Sequence, residues 1–284
     1  MNYTVIKVIK GITEIKEYYG YLEKAEMKME ELGVEERREK IIELVTQKTK
    51  VKVLELSKMF GISEVTIRND LSELENKGFL ERTHGGAIST NKSYYNMSLK
   101  DRAITNTEEK RKIAAAAAAM ISDGDTVMMN SGTTTLFTVR ELAHVKNLMI
   151  VTNSVSIAQE VSLYNNMKVI LLGGYFDAQY QFTYGDDTIH QLNRYKADKL
   201  ILAVDGFSPE SGVTTYHHLE VEVNKQMMAR VNKKIVVADY SKIGRTSFVY
   251  IDQIESIDTL ITDQKANAEE VQEIINHNVE VKLV

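Results

Sequence analysis

The chain has 284 residues, of which 43% are hydrophobic and 26% charged, so its composition is that of a globular protein long enough for two domains. It contains no cysteine, which excludes disulfides, cysteine-ligated zinc sites and thiol nucleophiles. Its formal net charge of −5 gives no overall basic bias toward nucleic acid, and it has neither the Gly-x-Gly nor the Gly-Lys-Ser/Thr motif of nucleotide-binding loops.

Residues 1–33 form an N-terminal extension outside the predicted domains. Lys16–Leu32 has the composition of a polar helix with few apolar positions. Either the segment is a mobile extension, or translation starts at Met27 or Met29; an extra dimerising arm is the alternative. Met1–Lys10 has no signal-peptide core, and the chain has no apolar run of about 18 residues, so we expect a cytoplasmic protein with no membrane partner.

Residues 34–90 have the pattern of a winged helix-turn-helix domain. The apolar periodicity predicts three helices followed by a hairpin, over Val34–Val45, Val53–Phe60, Glu64–Lys77 and Phe79–Ser89. Between the second and third helices, Gly61 suits a helix C-cap and Ser63 suits an N-cap. A unit of this kind places its third helix in the major groove of DNA.

The third helix carries residues that we expect to read DNA. Ile67, Leu71 and Leu74 recur at intervals of four and three and predict a buried stripe, so the opposite face of the helix points outward. Arginine, asparagine and the methyl groups of valine and threonine pair with base edges, and a helix N-terminus binds phosphate. The predicted DNA-binding residues are Arg37, Ser63, Val65, Thr66, Arg68, Asn69, Arg82, Thr83, His84 and Gly85. The same polar face is also compatible with a protein-interaction module.

Residues 107–284 have the pattern of an α/β domain, preceded by a polar linker over 91–106. After an Ala-rich helix over Glu108–Ile121, short apolar runs alternate with helical segments. Near-continuous apolar strands indicate a largely parallel sheet that helices cover on both faces. The predicted strands are Thr126–Met129, Met149–Thr152, Val169–Leu172, Leu200–Val204, Ile235–Ala238, Thr259–Thr262 and Val279–Val284.

The strand-to-helix turns of this domain indicate a phosphate site. Asn130–Thr135 leads from the first strand into a helix over Leu136–Ala143, so N–H groups, hydroxyls and a positive helix end meet at one edge of the sheet. Turns at 152–154, 172–174, 205–206 and 239–242 end at the same edge, where α/β sheets bind ligands. The candidate residues from these turns are Asn130, Ser131, Gly132, Thr133, Thr134, Asn153, Gly173, Gly174, Asp205 and Lys242. Alternatively, each turn is only a connector.

Two groups of motifs resemble the DeoR family of bacterial transcriptional regulators. T-I-R-x-D-L at Thr66–Leu71 and H-G-G-A at His84–Ala87 match its N-terminal domain, although Asn69 stands where a second arginine is frequent. S-G-T-T at 131–134 and A-D-x-S-K at 238–242 match its effector domain. In that family the effector domain is similar in fold to ribose-5-phosphate isomerases and glucosamine-6-phosphate deaminases.

The resemblance implies a repressor of a carbohydrate-utilisation operon that a phosphorylated sugar releases from its operator. The sugar phosphate is expected at the 131–134 loop, with Asp205, Glu220 and Lys225 around the sugar. Segments 181–186 and 212–215 resemble the amino-sugar subgroup, which includes N-acetylgalactosamine operon repressors. The expected partners are double-stranded operator DNA, the phosphorylated sugar and a second or further copies of the chain, as a homodimer or homotetramer; no cofactor is expected.

A sugar-phosphate isomerase or deaminase fused to a helix-turn-helix is the alternative interpretation. Asp205 or Glu220 would then act as a carboxylate base. Nothing in the sequence shows a paired acid and base, so we expect no catalytic residues. His217 and His218 are adjacent and have no third ligand at a suitable spacing, so we expect no metal site.

Overall fold

The computed structural model of the protein describes residues 32–48, 50–77, 79–88 and 97–284. The chain divides into two units, Met1–Ser89 and Thr90–Val284. The extension predicted over residues 1–33 lies outside the described residues, except for its last two. Within the described ranges, no helix is both long and apolar enough to cross a membrane.

The first unit is the predicted winged helix-turn-helix. Its elements are α1 (Val34–Lys48), β1 (Lys50–Lys52), α2 (Val53–Phe60), α3 (Glu64–Asn76), β2 (Glu81–Thr83) and β3 (Gly86–Ile88). The strands pair antiparallel in the order β1-β3-β2. The sequence did not predict β1, because three residues are too few to display an alternating pattern, yet its Val51 is buried.

The turn between α2 and α3 forms as its caps predict. Gly61 is left-handed at φ 64°, and its N–H donates to the Ser57 carbonyl at the end of α2. The Ser63 hydroxyl accepts a hydrogen bond from the Thr66 N–H at 3.1 Å and so starts α3. The predicted buried stripe of α3 is confirmed at Ile67, Leu71 and Leu74. The opposite face of α3 is therefore the outer face of this unit.

Arg37 does not lie on the outer surface of the unit, contrary to the prediction. Its Nε lies 2.7 Å from Asp70 Oδ2, only 8% of the residue is exposed, and Arg38 Nε donates to Asp70 Oδ1 at 2.9 Å. Asp70 is buried on the core side of α3, where an ionised carboxylate requires cationic partners. Arg37 therefore links α1 to α3 and is not available as an outward contact for a DNA phosphate.

The second unit contains the predicted parallel sheet of seven strands. These strands are β4 (Thr126–Met129), β5 (Leu148–Thr152), β6 (Met167–Leu171), β9 (Ala197–Ala203), β12 (Val231–Val237), β14 (Thr259–Thr262) and β15 (Glu280–Leu283). Their order is β15-β14-β12-β9-β4-β5-β6, and every neighbouring pair is parallel. The fold class predicted for this half is confirmed.

Helices cover both faces of this sheet. They are α4 (Leu99–Ala103), α5 (Thr107–Ala118), α6 (Thr133–Glu141), α7 (Val155–Val161), α8 (Asp186–Leu192), α9 (Val221–Ala229) and α10 (Ala268–Asn276). Along β4, Met128 faces one hydrophobic core while Val127 and Met129 face the other, because side chains alternate along a strand. Residues of α8, α9 and α10 belong to the first core, and residues of α5, α6 and α7 belong to the second.

Short antiparallel segments lie beside the main sheet. β7 (Tyr175–Asp177) and β8 (Phe182–Tyr184) form a hairpin, and a further sheet joins β10 (Gly206–Ser208), β11 (Gly212–Thr215) and β13 (Val249–Asp252). The sequence did not predict these strands, because segments of three or four residues among turn residues lack a recognisable period.

The predicted linker over 91–106 is wrong from residue 97 onward. Residues 97–106, which we call the strap, belong to the second unit and contain α4. The helix begins with a capping box, in which the Ser98 and Asp101 side chains each bond the other's backbone. Arg102, Thr105 and Asn106 are buried, so a polar composition here does not indicate an exposed connector.

The strand order places a topological switch point between β4 and β9. From β4 the chain proceeds through β5 to β6 at one edge, and then returns to β9 and continues through β12 and β14 to β15 at the other. Connections that leave two neighbouring strands in opposite directions open a crevice at their carboxyl ends, and α/β sheets bind ligands there. The candidate site lies at this crevice.

We expect Asp70→Asn to destabilise the first unit, because the buried charge of Arg37 then loses its carboxylate. Breaking a buried ion pair from one side costs about 3–5 kcal/mol, so we expect a loss near the lower end of that range in urea unfolding followed by circular dichroism. Glu55→Gln is the matched control, because it breaks the exposed Lys52–Glu55 pair, and it should cost less than about 1 kcal/mol. Equal, small losses in both variants would show that Asp70 does not hold α1 to α3.

Candidate effector site and nucleic-acid interface

A pocket opens at the switch point, at the carboxyl ends of β4, β9 and β12. Most of the predicted effector residues line it: Asn130, Ser131, Gly132, Thr133, Thr134, Asp205, Glu220 and Lys242. Side chains that the sequence did not predict line it as well, among them Arg102, Lys110, Tyr180, His217 and Asp239. The pocket therefore combines a helix N-terminus with cationic and acidic side chains.

The loop after β4 brings the start of α6 against β9. Gly132 precedes the helix, which begins at Thr133, earlier than predicted, so Thr133 and Thr134 belong to its first turn. A Cβ atom on Gly132 would lie 2.5 Å from Ala203 Cβ and 3.1 Å from Thr135 Oγ1. Only glycine therefore permits this close approach, which directs the N–H groups of the first turn toward the pocket.

Asn130 has a structural role that the sequence did not predict. Its Nδ2 donates to the Ala203 carbonyl at 2.9 Å, and its Oδ1 accepts from the Ala203 N–H at 2.8 Å. The side chain thus joins the ends of β4 and β9. Because both ends of the amide are engaged, Asn130 shapes the pocket, whereas the sequence had suggested a direct contact with the effector.

Glu220 lies against the loop of residues 131–134. Its Oε1 accepts one hydrogen bond from the Ser131 N–H at 3.2 Å and another from Asn153 Nδ2 at 2.9 Å. Burial raises the pKa of Glu220 to about 7, although these two hydrogen bonds lower it. Asn153 does not line the pocket, so its link to the site is through Glu220.

Asp205 is one of two ionised carboxylates in the pocket. It lies 3.3 Å from Arg102 Nη1 and accepts hydrogen bonds from the Tyr216 N–H at 2.9 Å and from Thr215 Oγ1 at 3.1 Å. Burial opposes ionisation, but the charges of Arg102 and Lys242 hold the pKa of Asp205 well below its usual range. Burial also lowers the pKa of His217 to about 4, against the attraction of Asp205, so this imidazole is neutral near pH 7.

A second charged group lies at the end of β12. Asp239 is 3.8 Å from Lys110 Nζ, and its Oδ1 accepts a hydrogen bond from Asn106 Nδ2 at 3.0 Å. Burial raises the pKa of Asp239, but the Lys110 and Lys242 charges hold it below its ordinary value. Burial lowers the pKa of Lys242 to about 8, although Asp239 favours its charged form. The pocket therefore holds cations and carboxylates in nearly equal number.

Besides Asn153, three predicted effector residues do not line the pocket. Lys225 is exposed on α9, where its Nζ pairs with Glu222 at 3.3 Å. Gly173 and Gly174 follow β6, at the far edge of the sheet, and the Gly173 N–H donates to Gln191 Oε1 at 3.0 Å. The sequence placed these glycines at the correct end of a strand, but the strand order separates that end from the switch point.

Arg102 is the pocket residue that sequence reasoning most clearly missed. Ser98 and Asp101 have the spacing of a capping box, and this pattern could have indicated a helix within the presumed linker. His217 was considered only as a metal ligand. In the part of the chain that the structure describes, no group of three or more histidine, cysteine or acidic residues is arranged to hold a metal ion.

The first unit presents most of the predicted DNA-contacting residues on its surface. Val65 and Asn69 are exposed on α3. The hairpin of β2 and β3, which we call the wing, exposes Arg82, Thr83, His84 and Gly85. Arg68 is also exposed and pairs with Glu64 at 2.5 Å across one turn of α3. Such an exposed pair contributes little stability, so it can open for a base edge. Ser63 and Thr66 are engaged with each other at the start of the helix, with 2.9 Å between their hydroxyl oxygens.

The raised pKa of Glu220 predicts a specific pH dependence of stability. In the folded state this carboxyl binds its proton more tightly than in the unfolded chain, so its contribution is full below pH 4.5 and is lost as the pH rises through about 7. Glu220→Gln removes the titration. We compare the free energy of unfolding of the wild type with that of this variant by urea unfolding. The difference in favour of the wild type should fall by roughly 2 kcal/mol between pH 5 and pH 8. A difference that stays constant with pH would contradict the burial of an ionisable Glu220.

Comparisons with known proteins agree with the two units. The model of the DeoR-like helix-turn-helix domain matches residues 37–93, and the model of the DeoR C-terminal sensor domain matches residues 105–264. Among solved structures, ribose 5-phosphate isomerase A from Methanocaldococcus jannaschii is 16% identical, with a TM-score of 0.37 over 49% of this chain and 55% of that one. This likeness is too distant to carry an argument about function.

Curated relatives match over most of the chain. It is 35% identical to a putative aga operon transcriptional repressor of Escherichia coli O157:H7, over 89% of this chain and 94% of that protein. It is 31% identical to the glycerol-3-phosphate regulon repressor of Escherichia coli K12, over 87% and 98% respectively. It is 34% identical to the transcriptional repressor GlcR of Bacillus subtilis, over 82% and 90%. The chain belongs to the DeoR family of transcriptional regulators.

Proposed function

We propose that the protein is a repressor of a carbohydrate-utilisation operon, which binds its operator through the first unit and is released by a phosphorylated sugar in the pocket of the second. The observation that carries this proposal is the helix N-terminus at Gly132–Thr134, which opens into a pocket with buried charges. The names of the relatives, repressors of the aga operon and of the glycerol-3-phosphate regulon, support the same class of function.

The two ends of the pocket suit the two ends of a sugar phosphate. The first turn of α6 offers N–H groups and the Thr133 and Thr134 side chains, which suit phosphate oxygens. Asp205 and Glu220 offer carboxylate oxygens to sugar hydroxyls, and the neutral ring of His217 lies beside them. An amino-sugar phosphate is the first effector to test, because segments of the sequence resemble the amino-sugar subgroup.

An isomerase or deaminase is the second candidate function, because the pKa of Glu220 is raised to about 7, which suits a general base. Two observations favour the regulator. Glu220 Oε1 is already engaged by Ser131 and Asn153, and the relatives cited above are named as repressors. Conversion of ribose 5-phosphate or glucosamine 6-phosphate by the purified protein would favour the enzyme.

The protein is further proposed to act in the cytoplasm, as a homodimer or homotetramer on paired half-sites. One winged helix contacts few base pairs, and dimers bind two half-sites in register with the turn of the DNA helix. Selection of duplexes from a random library by the full-length chain supplies the operator for the experiments below. A selected site without repeated half-sites would contradict the oligomeric proposal.

Arg68→Ala and Arg82→Ala separate base reading from phosphate binding. If Arg68 pairs with a guanine, its loss should cost about 1–3 kcal/mol on the selected operator and relax the preference at one position. Arg82 lies on the wing, so its loss should weaken operator and random duplexes alike and lower the dependence of log Kd on log salt. Fluorescence anisotropy at several salt concentrations measures both effects. An equal effect of Arg68→Ala on operator and random DNA would overturn the base-reading role.

Thr134→Val tests the phosphate end of the pocket without changing the shape of the side chain. A hydrogen bond to a charged group contributes about 1.5–3 kcal/mol, so affinity for the effector should fall roughly 10- to 100-fold. The panel is glucosamine 6-phosphate, N-acetylgalactosamine 6-phosphate, ribose 5-phosphate and sn-glycerol 3-phosphate, screened by thermal shift and titrated by calorimetry. Thr138→Val is the control, since Thr138 lies one turn later on α6 and bonds only the Thr134 carbonyl. If both variants bind equally well, the phosphate lies elsewhere.

A further inference from the structure

The strap is anchored by the same carboxylates that line the pocket. Arg102 Nη1 lies 3.3 Å from Asp205 Oδ1, and Asn106 Nδ2 donates to Asp239 Oδ1 at 3.0 Å. Asp205 follows β9 and Asp239 follows β12, so the two anchors lie at the carboxyl ends of neighbouring strands. The strap therefore lies at the mouth of the switch point and does not pass over an unrelated surface.

Lys110 strengthens this attachment. Its Nζ donates to the Arg102 carbonyl at 2.8 Å and also to the Thr105 carbonyl, so it binds the end of α4. The same Nζ lies 3.8 Å from Asp239 Oδ2. A cation of the pocket thus joins the strap backbone to a pocket carboxylate.

One anchor of the strap lies inside the pocket, where an occupant meets it. Arg102 itself lines the pocket, and its side chain is 9% exposed. A sugar phosphate brings hydroxyls that compete with the Arg102 guanidinium for Asp205. Buried ion pairs are stable only while their partners remain matched, so a change of partner at Arg102 alters the free energy of the docked strap.

The strap is also the covalent route between the two units. Ile88 is the last described residue of the wing, and the strap begins at Met97, after residues 89–96. The strap is therefore the part of the described second unit that lies nearest in sequence to the DNA-binding unit. Coupling between the two sites requires an element whose arrangement both sites influence, and its anchors in the pocket and its place in the chain make the strap the candidate.

We propose that the strap transmits the occupancy of the effector pocket to the DNA-binding unit, and that Arg102 is the positioning residue that docks it. The docked strap is the operator-binding arrangement, and the sugar phosphate favours the undocked one. This inference rests on the proposed function, because it names how the same pocket regulates DNA binding. Arg102 docks the strap, so its loss should weaken operator binding without the effector to about the level that the wild type shows with it, and should leave binding of the effector in place.

The experiment compares operator release in four full-length proteins: wild type, Arg102→Gln, Arg102→Lys and Arg140→Gln. Arg140 is the matched control, because it pairs with Glu160 at 3.2 Å, also with little exposure, but does not line the pocket. The probe is the member of the panel above that most raises the melting temperature of the wild type. Operator Kd is measured with and without saturating probe, and hydrogen exchange of residues 97–106 is measured under the same conditions.

The wild type should show an operator Kd that rises roughly 5- to 150-fold with the probe, together with faster exchange in the strap. In Arg102→Gln the ratio of the two Kd values should fall to about 1, while the probe still raises the melting temperature. Arg102→Lys keeps the charge, so its ratio of operator Kd values should lie between 1 and that of the wild type. Arg140→Gln should have the same ratio as the wild type.

Three results would overturn the inference while leaving the proposed function intact. One is that the probe raises the operator Kd of Arg102→Gln by the same factor as that of the wild type. Another is complete loss of probe binding in that variant, which would make Arg102 a ligand contact. The third is unchanged strap exchange in the wild type under saturating probe, and this measurement does not depend on whether any variant folds. If no member of the panel binds the wild type or weakens its operator binding, the proposed function itself fails, and the inference fails with it.

Discussion

The close approach of β4 and β9 at their carboxyl ends is the constraint on which the second unit depends. Gly132 lies so near Ala203 that any side chain would collide with its Cβ, and Asn130 closes the same gap with two hydrogen bonds to the Ala203 backbone. These contacts fix where α6 begins and where its N–H groups point. The connections then diverge to opposite sides of the sheet, so the crevice that this contact defines becomes the pocket.

The charges of the pocket are matched to one another before any ligand binds. Arg102 and Lys242 keep Asp205 ionised, while Lys110 and Lys242 do the same for Asp239. Glu220, which has no cation in contact among its hydrogen-bond partners, instead has a raised pKa. Isolated buried charges are costly, so each group either finds a partner or moves toward its neutral form. An anion that enters this pocket meets charges that are already paired with one another.

Much of both units could be predicted from the sequence, because burial leaves a pattern. The seven parallel strands appear as apolar runs, and the outer face of α3 follows from its stripe. The error at Arg37 had a visible remedy. Arg37 precedes Ile41 and Val45 by multiples of four, so helical spacing places it on the buried face despite its charge. The exposure of Lys225 had no such signal, because Lys225 lies four residues after the buried Val221 and three before the buried Met228. The pairs of neighbouring strands in the sheet could not be predicted, because strand order depends on contacts between segments that are distant in the sequence.

The strap shows why a polar segment can be mistaken for a linker in a regulator of this kind. Only Met97 and Leu99 give the strap buried apolar side chains, while Arg102, Thr105 and Asn106 are held by ion pairs and hydrogen bonds, so the segment lacks the apolar period that identifies a packed element. The apolar contacts of Met97 and Leu99 do not depend on the charges in the pocket. Polar anchors on pocket carboxylates are sensitive to a ligand, because the ligand competes for the same hydrogen bonds and charges. The property that concealed the strap from sequence reasoning is therefore the one that suits it to couple the two units.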